Sequence, residues 1–336
     1  MSPTSDTPAK ADSADRGRDH PTVDELQAAL GSEFEIKREL GVGAVAAVYL
    51  ANEAGLDRLV ALKVLRNGHA GDETARARFE REAKSSASLA HPSVVQVYRF
   101  GRLPNDTPYL VMRYIKGRTM EERLAAQGRL STKLARQTLA EVASALAAAH
   151  AKGIIHRDVR PGNVLWDEER EVSLLSDFGL AALQAPTGEQ SGRLTQTGQM
   201  IGNPRYMSPE QLRDEPLTEM ADLYAFGVMG YELITGEGPY SAKTNTQWIT
   251  AHLTSEPRPL AEIRPGVDGD LADLLIRCLN KDAKRRPRAR DIADRLSRPA
   301  AANTLAGPGS GLHPSDSGEN PADLQELIKR RVLQTV

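Results

Sequence analysis

The stretch "HRDVRPGNVL", residues 156–165, decides the reading of the fold. It sets Asp158 and Asn163 five positions apart with Pro161 and Gly162 between them, so both polar side chains belong to one tight turn. A little downstream, "LLSDFGLA" (174–181) carries Asp177 in a loop entered from an apolar strand and left through Gly179. A hard cation such as magnesium takes oxygen ligands from few side chains and completes its shell with substrate phosphates. Asp177 and Asn163 would supply those oxygens.

Moving upstream, "GVGAVAAVY" (41–49) sits between two strand-like runs. Gly41 and Gly43 would let backbone N–H groups approach phosphate oxygens with no Cβ in the way. A plain tight turn explains the same residues equally well, and a dinucleotide fingerprint is disfavoured because no helix follows the glycines. "VALK" (60–63) then places Ala61 and Lys63 on one face of a strand. Glu82, in "RFEREAKS", is either an exposed helical partner for a neighbouring Lys or Arg, or the partner of Lys63, which would then be held where it grips an anion.

The surrounding pattern changes midway. Strand-like runs ("FEIKREL", "AVYLA", "LVALKVL", "VVQVYRFG", "YLVMRYI") surround one helical stretch, "TARARFEREAKSSASLA"; the remainder is mostly helical. In "TKLARQTLAEVASALAAAH", Leu139, Val142, Leu146 and Ala149 share a face, and Gly153 closes the helix. This predicts an α+β fold with a small β-rich lobe (32–115) and a larger helical lobe (116–298). Residues 1–31, poor in large apolar groups, are expected to form a disordered tail, with a short helix possible at "VDELQAAL". Residues 299–320 read as a Gly/Pro/Ser linker, and 321–336 as either a short amphipathic helix with Asn320 as its N-cap or a frayed tail.

Composition sets the outer limits. In 336 residues, 40% are apolar and 26% charged, enough for a sizeable core, and the net charge of −2 points to neither nucleic acid nor an anionic membrane. The single cysteine, Cys278, excludes an intramolecular disulfide and fits a reducing cytoplasm; in "LADLLIRCLN" it reads as a buried helix residue. There is no secretory h-region near the N-terminus and no apolar run long enough to span a membrane.

Taken together with "SPE" (208–210), "DLYAFGV" (222–228) and "KDAKRRP" (281–287), these motifs make the block from about 34 to 296 resemble the eukaryotic-type Ser/Thr protein kinases, in their bacterial branch. The resemblance implies the bilobal kinase fold and transfer of the γ-phosphate of ATP, with magnesium or manganese, to protein Ser/Thr hydroxyls. It implies that Lys63 contacts the α- and β-phosphates and is positioned by Glu82, that Asp158 accepts or orients the substrate hydroxyl proton, and that Asn163 and Asp177 bind the metal. It further implies that Gly41, Val42, Gly43 and Ala44 cover the phosphates and that Val48 and Ala61 sandwich the adenine. Met112 would be the gatekeeper, with Arg113 through Ile115 the hinge. Glu210 and Arg286 would form a structural ion pair, Asp222 would brace the catalytic loop, and His156 and Phe178 would be packed supports.

Three positions depart from the family pattern: Ala46 for a third glycine, Arg160 for a lysine near the γ-phosphate, and Asn203 for a threonine that links the catalytic Asp and Lys. Arg160 keeps the positive charge on a longer planar fork. Asn203 would compensate by a hydrogen bond to Asp158 or Arg160, or else mark drift. A working kinase is therefore set against a nucleotide-binding pseudokinase scaffold, and against a small-molecule phosphotransferase of related fold. In "GRLTQTGQMIG", Thr195 and Thr197 resemble an autophosphorylated activation-loop pair, to be read by Arg157. Expected partners are protein substrates and a second kinase domain. "KRRPRAR" (284–290) reads as a solvated face rather than a nucleic-acid site.

Overall fold

The computed structural model describes residues 18–178 and 203–298, and it divides into two compact units. One runs through Ala77 and takes in Arg99–Tyr114; the other holds Arg78–Tyr98 and the described chain from Ile115 onward.

The first unit opens with α1 (Val23–Leu30), followed by β1 (Phe34–Val42), β2 (Ala46–Glu53), β3 (Arg58–Leu65), α2 (Asn67–Ala70), the start of α3 (Glu73–Ala87), β4 (Val97–Arg102) and β5 (Pro108–Arg113). The strands form one sheet in the order β1-β2-β3-β5-β4. In the antiparallel register Val48 stands opposite Lys63, and Ala61 opposite both Leu50 and Met112. Directly opposed residues share a face, so Val48, Ala61, Lys63 and Met112 all lie on one side of the sheet. The other side carries Tyr49, Val60, Leu62, Val64 and Val111, which with Phe34 and Leu26 make the core of this unit.

That core corrects the expected tail over residues 18–31, where the short helix allowed at "VDELQAAL" is a packed element; residues 1–17, the linker 299–320 and the helix 321–336 lie outside the described residues. Leu26 has no exposed surface, Thr22 and Glu25 close a reciprocal capping box, and the Tyr49 hydroxyl donates to the Pro21 carbonyl. Val23, Leu26 and Leu30 share a stripe of this helix, and a ready-made sheet face offsets the entropy of ordering it, which mean composition could not show.

In the second unit, β6 (Gly117–Thr119), β7 (Val164–Asp167) and β8 (Val172–Leu175) form a small sheet beside α4 (Met120–Gln127), α5 (Thr132–His150), α6 (Pro209–Arg213), α7 (Met220–Thr235), α8 (Asn245–Thr254), α9 (Leu260–Ile263), α10 (Gly269–Cys278) and α11 (Ala289–Leu296). The α5 face named from its spacing is fully buried, and the chain leaves through Gly153 at φ 70°. Helix α7 is apolar nearly all round and lies in the core. Gly230 lets it approach its neighbours: a Cβ there would meet Leu275 at 2.5 Å and Leu139 at 3.1 Å. Cys278 is buried, and burial pushes its thiol up to about 12.

Residues 78–98, expected in the small lobe, group with the second unit. Their end is stitched to β8 through Val95 N–H to Leu175 C=O (3.0 Å) and Leu175 N–H to Ser93 C=O (2.9 Å), and Leu89 and Val94 join the second core. These backbone bonds and buried contacts outweigh the sequence neighbourhood of the first unit's strands.

Candidate active site

The loop 156–163 is held from beneath by one carboxylate. Asp222, in the first turn of α7 and 1% exposed, accepts the N–H of His156 at 2.8 Å and of Arg157 at 2.7 Å, with His150 Nε2 at 2.8 Å as a third donor. Arg157 has φ 70°, a left-handed conformation that side chains with a Cβ seldom adopt, and the Asp222 bonds hold it there. The His156 ring is consumed in spacing: Nε2–H donates to the Ser176 carbonyl at 2.7 Å, and Nδ1 accepts Asp158 N–H at 3.2 Å. Phe178 meets its edge at 4.6 Å. With both nitrogens engaged and no exposed surface, His156 has no free position from which to act as a base.

The next shell fixes Asp158. Asn163 Nδ2 donates to the Asp158 backbone oxygen and to Oδ2, both at 2.7 Å, and Arg160 Nε lies 3.5 Å from the same Oδ2. Oδ1 accepts no hydrogen bond among the described residues. The Asn163 carbonyl takes the Ser176 N–H (2.9 Å) and hydroxyl (3.1 Å), which anchors the residue before Asp177; Asp177 itself turns at φ 63°. The structure thus brings Asp158, Asn163 and Asp222 into one hydrogen-bonded frame and ties the Asp177 loop to it. Because Nδ2 of Asn163 is committed to Asp158, its amide oxygen remains as the ligand atom, and with the Asp177 carboxylate it makes a hard-oxygen pair suited to magnesium.

Arg160 has a partner the sequence reading missed. Its Nη1 lies 3.4 Å and 3.5 Å from the two carboxylate oxygens of Glu121, in the first turn of α4. Gly162 makes room, since a Cβ there would meet Glu121 Oε2 at 2.6 Å and Arg160 Nη1 at 2.7 Å. The compensating bond considered for Asn203 is not the one that forms: its side-chain oxygen caps the short turn Pro204–Tyr206 by accepting Arg205 N–H at 3.1 Å. A cap satisfies a backbone donor two residues away at little entropic cost, which favours the local bond.

In the first unit, Lys63 is buried on the sheet face that also carries Val48, Ala61 and Met112. Gly41, Val42, Gly43 and Ala44 are exposed at the end of β1 and in the turn into β2, where Gly43 N–H donates to Ala46 C=O at 2.9 Å. A Cβ added at Gly41 would meet nothing within 4 Å, so packing inside the protein does not require glycine there. The missing Cβ leaves backbone open to a ligand, as a phosphate cradle requires. Arg113 ends β5 and Ile115, buried, follows. Glu82 lies on α3, but its side chain falls outside the described residues, as do Thr195 and Thr197.

Glu210 and Arg286 meet as a bidentate pair at 2.6 Å and 2.9 Å, and Arg286 also donates to the carbonyls of Asn280 and Met220 at 2.8 Å each. Beside it lies a polar cluster that joins Lys281 and Tyr224, from two of the quoted motifs, to Tyr240 and His252, which belong to none. Lys281 Nζ donates to Tyr240 Oη (2.9 Å) and the Ala251 carbonyl (3.2 Å), and burial pushes its pKa down to about 7. His252 Nδ1 pairs with Tyr224 Oη and Nε2–H donates to the Arg205 carbonyl, both at 3.0 Å; burial pushes it down to about 3. Only packing could have joined them, because nothing in the sequence ties His252 and Tyr240 to those motifs.

Against this geometry, residues 34–296 match the family model for the protein kinase domain. The chain belongs to the protein kinase family. This kinase chain is 36% identical over 253 residues to the serine/threonine-protein kinase PrkC of Bacillus subtilis, covering 75% of this chain and 38% of that one. It is 35% identical to the serine/threonine-protein kinase PknB of Mycobacterium tuberculosis, covering 76% and 41%. The chain therefore spans less than half the length of these curated relatives. Among solved structures, the kinase domain of Mycobacterium tuberculosis PknI superposes with a TM-score of 0.60 at 27% identity, covering 79% of this chain and 95% of that one. The kinase fold and the bacterial Ser/Thr branch follow from these matches. Among the described residues no helix is long and apolar enough to cross a membrane.

Proposed function

We propose that this chain is an ATP-dependent protein kinase that phosphorylates Ser and Thr hydroxyls of proteins, in the cytoplasm, using magnesium or manganese. The observation that carries the reading is the state of Asp158: Oδ2 is fixed by Asn163 and Arg160, and Oδ1 carries no hydrogen bond among the described residues. A carboxylate fixed on one oxygen presents the other in a defined direction, so Oδ1 would accept the hydrogen of the substrate hydroxyl. Lys63 would meet the α- and β-phosphates as a point charge, and the exposed turn 41–44 would cover them with backbone N–H groups. A bound magnesium would neutralise phosphate charge from the oxygens of Asn163 and Asp177.

Regulation by Thr195 and Thr197 is part of the same reading. It is supported by Arg157, whose guanidinium makes no hydrogen bond or ion pair among the described residues; a phosphothreonine would supply its partner. A second kinase domain is the partner expected for such autophosphorylation.

The test is transfer of labelled γ-phosphate from ATP with magnesium to a generic basic protein. Asp158→Asn should lower the rate by about 10³-fold, within the range for loss of a general base. Nucleotide binding without any transfer, with activating partners supplied, would overturn the proposal in favour of a pseudokinase scaffold.

A further inference from the structure

The segment just before α1 makes contact at three points, one just past the end of β3 and two on the β1–β2 hairpin. The Asp19 carboxylate accepts Arg66 Nε at 2.8 Å and also Arg66 Nη2, and the Asp19 carbonyl accepts Asn67 N–H at 2.6 Å. His20 Nε2 lies 3.2 Å from Glu39 Oε2 in β1. The Pro21 carbonyl accepts the hydroxyl of Tyr49, which stands opposite Glu39 in the ladder.

The guanidinium of Arg66 continues the first contact to the tip of the hairpin. Its Nη1 donates to the carbonyls of Gly43 (2.6 Å) and Ala44 (3.1 Å), while Arg66 N–H donates to Val45 C=O at 2.9 Å. In a trans peptide the C=O and the following N–H point in opposite directions. Tying the Gly43 and Ala44 carbonyls to Arg66 therefore turns the N–H groups of Ala44 and Val45 away from it. Those are the donors a phosphate cradle needs.

We propose that Asp19 and Arg66 form a clasp that orients the backbone of the phosphate loop, making the segment ahead of α1 a positioning element for nucleotide binding. The proposal rests on reading 41–46 as the nucleotide loop. The Asp19–Arg66 pair is partly exposed, at 43% and 25%, so screening keeps its contribution to global stability small and its effect falls on loop order. Arg66 holds the Asp19 carboxyl below its ordinary range, so the clasp is closed at neutral pH.

The experiment compares the full chain with Asp19→Ala and Arg66→Gln by hydrogen–deuterium exchange and by binding of ATP and adenosine. Both variants should exchange faster across 41–46 and bind ATP about fivefold more weakly, a loss on the scale of one modest contact, with adenosine unchanged because it has no phosphates. Unaltered exchange across 41–46 in both variants would overturn the clasp, whatever the affinities. Should the parent bind no ATP, the nucleotide reading alone fails, and faster exchange in the variants would still support the clasp.

Discussion

The loop 156–163 rests on Asp222, a carboxylate 1% exposed that accepts two backbone N–H groups and a histidine, whereas the turn 43–46 hangs from Arg66 and Asp19, whose carboxylate is 43% exposed. Buried, Asp222 interacts in a low dielectric and has no water to exchange with; Asp19 competes with water at every contact. A residue that must hold a proton acceptor in one direction is supported in the first way. Under the proposed function, a loop that admits and releases a nucleotide is supported in the second, where opening costs little.

The largest break in this contrast should come from Asp222→Ala. It leaves the His156 and Arg157 amides buried without an acceptor, at a loss of about 3 kcal/mol, and Arg157 loses what holds it at positive φ. Thermal unfolding should shift down by about 6 °C, with phosphotransfer abolished. Asp19→Ala should leave the same midpoint nearly unchanged. Equal shifts for the two variants would collapse the comparison.

Acid should separate the two regions next. His252 is held neutral by burial, down to about 3, below its ordinary value of 6.5. Between those values the unfolded chain binds the extra proton, so stability falls as pH drops through this window. From pH 7 to 5 the loss should be about 2 kcal/mol, and His252→Gln should flatten that limb in a series of melts. Lys281 adds a rise toward alkali: its folded value near 7 lies below the unfolded 10.5, so stability grows across that interval until the tyrosines titrate. The Asp19 clasp fails only at lower pH, because a depressed carboxylate loses its contribution as pH falls through its lowered value. Mild acid should therefore weaken the second unit while exchange across 43–46 stays protected.

The smallest effect sharpens the catalytic side. Glu121 is exposed and sits 3.4 Å from Arg160, so Glu121→Ala should lower kcat by about threefold. In an Arg160→Lys background it should have no further effect, because the shorter ammonium does not reach Glu121. An undiminished Glu121 effect in that background would show that the two residues act separately.

Much of this was legible before any coordinates. Period-2 runs marked the five strands, and the spacing of Leu139, Val142, Leu146 and Ala149 marked a buried helix face, because both signals depend on neighbours along the chain. The frame of Asp158, Asn163 and Ser176 was half legible: the turn at Pro161–Gly162 promised the first two, but Ser176 carries no motif of its own. Composition cast residues 18–31 as a tail even though the helix at "VDELQAAL" was readable within it, and adjacency misread 78–98.

What the chain order alone carries is the α+β class, the membership in the kinase family and the proposal of Lys63, Asp158, Asn163 and Asp177 as site residues. These are set by short-range spacing and residue chemistry. Packing decided the rest: that Glu121 answers Arg160 from 39 residues away, that Asp19 reaches Arg66 across 47, and that His252, Tyr224 and Lys281 share one buried cluster. Each depends on which side chains the core excludes from water and brings within hydrogen-bonding distance, a condition that exists only once the distant elements have met.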